Sequence, residues 1–155
     1  MLDLSIIVVN WNTRTLLRAC LASVKKYTVG LEYEVIVVDN GSTDGSSAMV
    51  KNEFPDVTVI ANPGNRGFAA ANNQGIRAAR GQAVLLLNSD TELTDNALLK
   101  LHRFLFSRAD FKLERTRRKA CEDVAQFGGE TVVKHLEVKK ETGEARKAFK
   151  RKGED

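Results

Sequence analysis

In the run EVIVVDNGSTD, residues 34–44, the β-branched apolar residues 35–38 are followed by Asp, Asn, Gly, Ser and Thr. An apolar run of this length that stops at turn-forming residues is typical of a buried strand in a parallel sheet. Polar or turn-forming residues likewise follow three further apolar runs: LSIIVV at 4–9, VTVI at 57–60 and AVLLL at 83–87. The sequence therefore predicts four buried parallel strands.

Helical segments separate and follow these runs. Apolar residues at helical spacing predict a helix of about 13 residues after the first strand, with Asn12 or Thr13 supplying the capping oxygen. Further helices are predicted over 44–54, 68–79 and 94–106. The order β-α-β-α-β-α-β predicts a Rossmann-like α/β fold, a three-layer α/β/α arrangement around a mainly parallel sheet.

Charge divides the chain into two parts. Residues 1–107 carry 10 basic and 10 acidic side chains, whereas residues 108–155 carry 14 and 10, so the whole net charge of +4 lies in the second part. We expect one cored domain over 1–107 and a basic, charged tail over 108–155. Within the tail, 112–121 and 132–152 are predicted to be charged helices or disordered, because neither has a broad apolar face.

Cysteine usage and the N-terminus bear on the cellular compartment. Cys20 and Cys121 belong to no CxxC or Cys/His cluster, so neither a disulfide framework nor a zinc site is indicated. No basic region precedes the first apolar run, which is too short for a signal peptide or a membrane span. A cytoplasmic location is therefore expected.

Polar residues follow all four predicted strands. In a parallel sheet the carboxyl ends of the strands form one edge, where ligands bind. The candidate binding residues at this edge are Asn10 and Asn12, Asp39 and Gly41, Asn65, Arg66 and Gly67, and Asn88, Ser89 and Asp90. Each group alone is also ordinary turn or capping chemistry. Four groups on one edge indicate a binding site.

Three of these groups predict a particular chemistry. Asp39 has no cation beside it in sequence, so its carboxylate can accept hydrogen bonds from a nucleobase imide or a ribose hydroxyl. Asn88 and Asp90 stand two residues apart, which lets both approach one Mg²⁺ or Mn²⁺ ion whose other ligands come from substrate phosphates. The segment 65–67 can bring backbone amides and a guanidinium near a diphosphate.

Taken in order, the segments VVNWN, VVDNGSTD, NPGNRGFAAANNQG and LLLNSD resemble the nucleotide-binding half of glycosyltransferase family 2, particularly its rhamnosyltransferase-like branch. The resemblance implies a GT-A fold in which Asp39 contacts the uracil or thymine of a UDP-sugar or dTDP-sugar donor. It also implies that Asn10 and Asn12 line the nucleoside pocket and that Asp90 binds the metal. Asn88 stands where the family usually has the first aspartate of Asp-X-Asp.

The resemblance further implies inverting transfer of a hexosyl or deoxyhexosyl unit to a glycan or lipid-linked acceptor, with peripheral contact at the inner face of the membrane. Such transfer needs a general base, which the family places well downstream of the metal motif. Here the likeness ends near Phe106, and the acidic pair Glu122–Asp123 is interpreted as a surface pair. We therefore expect a truncated chain. The alternatives are a separate donor-binding subunit and a small enzyme whose tail replaces the missing half.

Other classes of protein fit the sequence less well, among them a sugar-nucleotide pyrophosphorylase, which would carry a Gly-rich basic loop after the first strand. A nicotinamide-dependent oxidoreductase would need GxGxxG after the first strand, where this chain has Asn10-Trp11-Asn12. A nucleic-acid-binding protein is the main alternative that is not an enzyme, because the pI is about 9.2 and residues 115–119 read RTRRK. The basic residues alternate with nearly as many acidic ones, which disfavours a nucleic acid partner.

Overall fold

A computed structural model of the chain describes residues 1–107 and 149–151. Its elements in chain order are β1 (Leu4–Asn10), α1 (Arg14–Tyr27), β2 (Tyr33–Asp39), α2 (Ser46–Glu53), β3 (Thr58–Ala61), α3 (Phe68–Ala78), β4 (Ala83–Asn88), β5 (Thr91–Leu93), α4 (Ala97–Ser107) and β6 (Phe149–Arg151). The four predicted strands and four predicted helices are confirmed, with ends within three residues of the expected positions.

The first four strands form one parallel sheet in the order β3-β2-β1-β4. The chain moves outward from β1 through β2 to β3 and then returns to the other side of β1 as β4. The strand order therefore reverses between β1 and β4. In sheets of this kind the crevice at such a reversal, beyond the carboxyl ends of the strands, is where ligands bind.

Helices cover both faces of this sheet. Because side chains alternate along a strand, Val8 and Val37 point to one face, where they join a core cluster with Leu17 of α1 and Val50 of α2. Leu98 of α4 belongs to the same cluster.

The neighbouring residues Ile7, Ile36 and Val38 point to the opposite face and pack against Ala71 and Ala79, within and just after α3. The three-layer α/β/α arrangement is thus confirmed.

The structure differs from the sequence prediction in the tail. Phe149–Arg151, expected to be helical or disordered, forms strand β6, which pairs antiparallel with the unpredicted strand β5. A strand there satisfies backbone groups of β5 that a helix could not reach. The rest of the tail, including 112–121 and Glu122–Asp123, lies outside the described residues. In the part of the chain that is described, no helix is long and apolar enough to cross a bilayer.

Candidate functional site

Asn10 and Asp39 lie side by side where β1 and β2 end. They are register partners in the parallel pair. Both lie on the face of the sheet that α1 and α2 cover, in line with Val8 and Val37. The side-chain amide of Asn10 donates a hydrogen bond of 2.9 Å from Nδ2 to Asp39 Oδ1. Asn10 is fully buried and Asp39 is 3% exposed. These two polar side chains therefore lie at the boundary of the hydrophobic core, shielded from solvent.

The carboxylate of Asp39 accepts three hydrogen bonds from its surroundings. Asn10 and the hydroxyl of Ser42 donate to Oδ1, and the hydroxyl of Ser47 donates to Oδ2 at 2.7 Å. A carboxylate offers about four acceptor positions. The remaining position lies on Oδ2 and can accept one further donor, such as an imide N–H.

A second hydrogen-bonded link reaches the end of β4. The hydroxyl of Thr13 donates to Asn10 Oδ1 at 2.6 Å and lies 3.0 Å from the hydroxyl of Ser89. Ser89 and Asp39 are thus joined through Asn10 and Thr13, although the two ends are separated by 50 residues in sequence. The structure brings the ends of three strands into one polar network.

Asn12 fixes the loop after β1 against the loop after β2. Its backbone has a positive φ of 54°, a conformation that Asn tolerates better than most residues. Its amide donates to Ser42 Oγ at 2.9 Å, and its side-chain oxygen accepts from the amide of Thr43 at 2.8 Å. Asn12 is exposed, so it stands at the rim of the site.

The N-terminus of α1 is capped by a residue that lies far away in sequence. The expected capping by Asn12 or Thr13 is wrong, because the amide of Arg14 donates to the carboxylate of Asp44 at 2.8 Å. The same carboxylate accepts from the amide of Ser46, at the start of α2, at 3.0 Å. Burial opposes the charged form, but these bonds and that from the Ser46 hydroxyl outweigh it, so the pKa of Asp44 is lowered.

Asp44→Ala is expected to lower the free energy of unfolding at neutral pH by about 1–2 kcal/mol, because the amides at two helix starts lose their partner. Since the pKa of Asp44 in the folded chain lies below its ordinary value of 3.8, the carboxylate stabilises the fold above that value and ceases to do so as the pH falls through the lowered pKa. Urea unfolding of parent and variant should therefore converge in acid. A difference that stays constant down to about pH 2 would contradict this role.

Asn40 organises the loop after β3. It follows Asp39, so it points to the other face of the sheet, toward α3. Its side-chain nitrogen donates to Asn65 Oδ1 at 2.8 Å, and its oxygen accepts from the amide of Arg66 at 3.0 Å. The amide of Gly67 donates to Asn65 Oδ1 at 2.8 Å. The amides of Arg66 and Gly67 therefore already have partners, whereas the guanidinium of Arg66 is a charged group that could contact an anion.

Gly41 lies against the backbone of the same loop. It has a φ of +81°, and a Cβ atom built on it would lie 2.5 Å from the Cα atom of Gly64. The two loops can lie this close because Gly41 has no side chain, whereas a Cβ atom on Gly64 would meet no atom within 4 Å. This contact holds the segment after β3 beside the segment that carries Asp39.

The turn after β4 contains the predicted metal ligands. Asn88 is exposed and Asp90 is half-buried. One oxygen of Asp90, Oδ1, is buried and accepts no hydrogen bond from the described residues, which is unfavourable unless a cation or water completes it. Within residues 1–107 and 149–151, no three His, Cys, Asp or Glu side chains come together as a metal cluster. The residues present fit a cation that takes most of its ligands from a bound phosphate.

Cys20 supports this turn from inside the core. Its thiol donates to the carbonyl of Asn88 at 3.7 Å. Burial raises its pKa to about 12, with further contributions from the negative charges of Asp90 and Glu92. Because a thiol with such a pKa stays protonated at neutral pH, Cys20 is a packing residue rather than a nucleophile.

Trp11 is exposed beside the network. It stands between Asn10 and Asn12 in the loop after β1, and 56% of it is accessible to solvent. It is the single tryptophan of the sequence. Its fluorescence can therefore be followed in a titration without a signal from another tryptophan.

Seven of the ten predicted residues fall into two hydrogen-bonded networks in the structure. Asn10, Asn12, Asp39 and Ser89 join one hydrogen-bonded network, and Asn65, Arg66 and Gly67 join a second one around Asn40. Asn88 and Asp90 flank Ser89 and belong to neither network, and Gly41 instead lies against Gly64.

Sequence reasoning missed the roles of Thr13, Ser47 and Asn40. The alternation of faces after β2 was the signal for Asn40, whereas the roles of the two hydroxyl residues depend on contacts between distant loops.

Comparison with known proteins identifies the family. The sequence pattern of glycosyl transferase family 2 matches residues 5–125 of the chain. A poly(ribitol-phosphate) beta-glucosyltransferase of Bacillus spizizenii is 33% identical over 108 residues, which cover 66% of this chain and 17% of the relative. The narrower likeness to the rhamnosyltransferase-like branch stays a prediction.

Solved structures share the architecture. The crystal structure of S. aureus TarS 1-349 in complex with UDP matches with a TM-score of 0.62 and 27% identity, covering 68% of this chain and 32% of that one. The mannosyltransferase PcManGT of Pyrobaculum calidifontis, in complex with GDP-Man and Mn²⁺, matches with a TM-score of 0.57 and 26% identity, covering 64% and 32%. The chain spans between 17% and 32% of the length of these three relatives. It has the GT-A-like fold, and it belongs to glycosyl transferase family 2.

Proposed function

We propose that the chain binds a nucleoside diphosphate sugar at the carboxyl edge of its sheet and serves as the donor-binding part of a glycosyltransferase. Membership of the family supports sugar transfer. The observation that carries the proposal is the buried carboxylate of Asp39, which keeps one acceptor position and is linked through Asn10 to the turn after β4.

The strand order supports one orientation of the donor. Neighbouring strands lie about 4.8 Å apart, so the end of β3 is about 14 Å from the end of β4. That span is comparable with an extended nucleoside diphosphate. With the diphosphate beside Asn88 and Asp90, the base lies over the ends of β2 and β3, where Asp39 accepts its imide N–H. Asn12, Gly41 and residues 65–67 then surround the nucleoside, and Arg66 extends toward the phosphates.

A divalent cation is part of this proposal. The neighbour PcManGT is solved with GDP-Man and Mn²⁺, and the buried oxygen of Asp90 fits a cation or its bound water. Asn88 and Asp90 would hold Mg²⁺ or Mn²⁺, which supplies positive charge against the charge that develops on the departing diphosphate. A carboxamide in the first place lowers the ligand charge by one, so bound phosphate contributes most of the affinity for the metal.

The proposed reaction is inverting transfer to an acceptor hydroxyl. The polar network orients the nucleoside, and the turn after β4 holds the diphosphate, so the anomeric carbon faces away from the sheet edge toward the acceptor. We propose a glycan or lipid-linked acceptor, reached by a chain that works in the cytoplasm at the inner face of the membrane. In a single displacement, a general base on the acceptor side removes the proton of the attacking hydroxyl as the bond from the anomeric carbon to the diphosphate breaks, and the proposal gives that role to no described residue.

The first test is a titration of the full 155-residue chain with UDP, followed by Trp11 fluorescence and by calorimetry, in Mn²⁺ and then in chelator. We expect binding that Mn²⁺ tightens about ten-fold or more. Asp90→Ala should bind UDP in chelator as the parent does and show no response to Mn²⁺, because it loses the one carboxylate of the two proposed metal ligands and no proposed contact to the nucleotide. dTDP and GDP, titrated in parallel, identify the base.

Two outcomes would contradict the proposal. A folded parent that binds none of the three nucleotides would remove the donor site altogether. An Asp90→Ala variant with the parent's full response to Mn²⁺ would show that the cation is held elsewhere.

A further inference from the structure

We propose that Thr13 is a positioning residue that couples the nucleoside end of the site to its metal end. The coupling runs through the hydrogen-bonded chain Ser89–Thr13–Asn10–Asp39, and it rests on the donor site proposed above. Thr13 touches neither the base nor the cation in this arrangement. Its effect is to transmit the position of one strand end to another.

The direction of each hydrogen bond follows from its chemistry. The ionised carboxylate of Asp39 can only accept, so Asn10 must turn its amide nitrogen toward Asp39 and its oxygen toward Thr13. An amide oxygen can only accept, so the single hydroxyl proton of Thr13 is committed to Asn10. The contact of 3.0 Å between the hydroxyls of Thr13 and Ser89 therefore has Ser89 as its donor. All donors in the chain point toward Asp39.

The direction of these hydrogen bonds determines which groups of a ligand the Ser89 hydroxyl can contact. Its proton is committed to Thr13, so its oxygen presents only lone pairs to a ligand. Ser89 lies between Asn88 and Asp90, and its fixed side chain sets the orientation of the turn that carries both predicted metal ligands. Ser89 itself is thereby suited to accept from a ribose hydroxyl or to face a cation, and not to donate to a phosphate.

The usual structural role for Thr13 is already filled by another residue. Thr13 occupies the N-cap position of α1, where a Thr hydroxyl commonly bonds the first free amides of the helix. Its side chain makes no such bond. The amide of Arg14 instead donates to Asp44. The hydroxyl of Thr13 is therefore available for the contact with Ser89, and its removal leaves the cap intact.

Burial makes the chain rigid. Asn10 and Asp39 are buried, and Thr13 and Ser89 are half-buried. Because Asn10 is fully buried, water has little access to its side-chain oxygen, so the bond lost with the Thr13 hydroxyl is not readily replaced there. The position of Asn10 beside Asp39 is kept by the separate bond from Asn10 Nδ2 to Ser42 Oγ, at 3.0 Å. Loss of the Thr13 hydroxyl thus affects the metal end more than the nucleoside end.

The test compares Thr13→Val, which removes the hydroxyl at constant shape, with Thr13→Ser, which retains it. For each variant, calorimetry gives the dissociation constant of UDP in Mn²⁺ and in chelator, and the ratio of the two is the metal response. We expect Thr13→Val to reduce this ratio about five-fold or more while binding in chelator stays close to that of the parent. Thr13→Ser should restore the ratio. Thr15→Val, an exposed substitution in the first turn of α1, is the matched control.

The outcomes separate this inference from the proposed function. A parent without UDP binding overturns both. A parent that responds to Mn²⁺, together with a Thr13→Val variant that responds equally, overturns the coupling alone. If Thr13→Val fails to fold, the parent supplies the answer by NMR: Mg²⁺ added to its UDP complex should shift the side-chain amide signal of Asn10. An unmoved signal would overturn the coupling.

Discussion

Gly41→Ala is expected to lower the free energy of unfolding by about 2–5 kcal/mol, which combines about 1–2 for a left-handed backbone with about 1–3 for the added atom in a packed site. The backbone of Gly41 has a φ of +81°, and its new Cβ atom would lie 2.5 Å from the Cα atom of Gly64. Backbone atoms cannot move aside as a flexible side chain does. The loops after β2 and β3 must therefore separate or the fold must strain.

Gly45→Ala is the matched control for this prediction. Gly45 has the same φ of +81°, but the nearest atom to its new Cβ would be the flexible guanidinium of Arg14 at 3.5 Å, an ordinary contact. This variant should lose only the backbone contribution of about 1–2 kcal/mol. Urea unfolding of both variants gives the difference, which isolates the contact between the two loops. Equal losses would show that the loops do not touch as described.

The effect of Gly41→Ala on binding follows from the same contact. The loop after β3 carries Arg66, and the loop after β2 carries Asp39, so separation of the loops enlarges the proposed nucleoside pocket. At temperatures where the variant remains folded, UDP binding should be weaker than in Gly45→Ala. Binding equal to that of the control would place the nucleoside away from this pair of loops.

Asp39→Asn is expected to weaken UDP binding by about 10- to 150-fold, both in Mn²⁺ and in chelator, because it removes a hydrogen bond to a charged acceptor. The amide nitrogen of Asn10 requires an oxygen opposite it, so the new side-chain nitrogen takes the place of Oδ2. Ser47 can rotate its hydroxyl to accept from that nitrogen. The position that faces the base then offers a donor to the imide N–H, and the base loses its partner while the fold is kept.

Asp44→Asn is the control for charge and shape. It makes the same substitution five residues along the same loop, at a carboxylate that caps α1 and α2 and has no place in the proposed pocket. Because Asn is itself a good capping residue, this variant should fold and bind UDP as the parent does. Calorimetry gives the dissociation constant of UDP for each of the two variants. An Asp39→Asn variant that binds like Asp44→Asn would remove Asp39 from the site.

The strands and helices could be predicted because each is determined by local patterns. The four strands are β-branched or leucine-rich runs that end at turn-forming residues, and the two central strands, β1 and β2, are largely buried on both faces. The edge of the sheet that carries the site followed from the parallel order alone. Asn10 and Asp39 could accordingly be placed at the same edge before their register was known.

The partners within the site could not be predicted, because they depend on register and on contacts between distant loops. The hydroxyls of Thr13 and Ser89 meet across 76 residues, and the cap of α1 comes from Asp44, 30 residues away. Local sequence favoured the nearer Asn12 or Thr13 as caps. Strand β5 was missed because its three residues are too few for a periodic pattern, and its pairing strand β6 follows only after residue 148.

The side chains of Asp39 and Asn40 point to opposite faces of the sheet, which limits insertions and deletions in β2. One strand end supplies a carboxylate to the layer of α1 and a carboxamide to the loop before α3. Gain or loss of a single residue inside β2 would exchange the two groups and reverse every apolar side chain behind them. Insertions and deletions in related sequences should therefore fall outside β2. They can accumulate at the opposite edge of the sheet, for example in the exposed turn at 29–30.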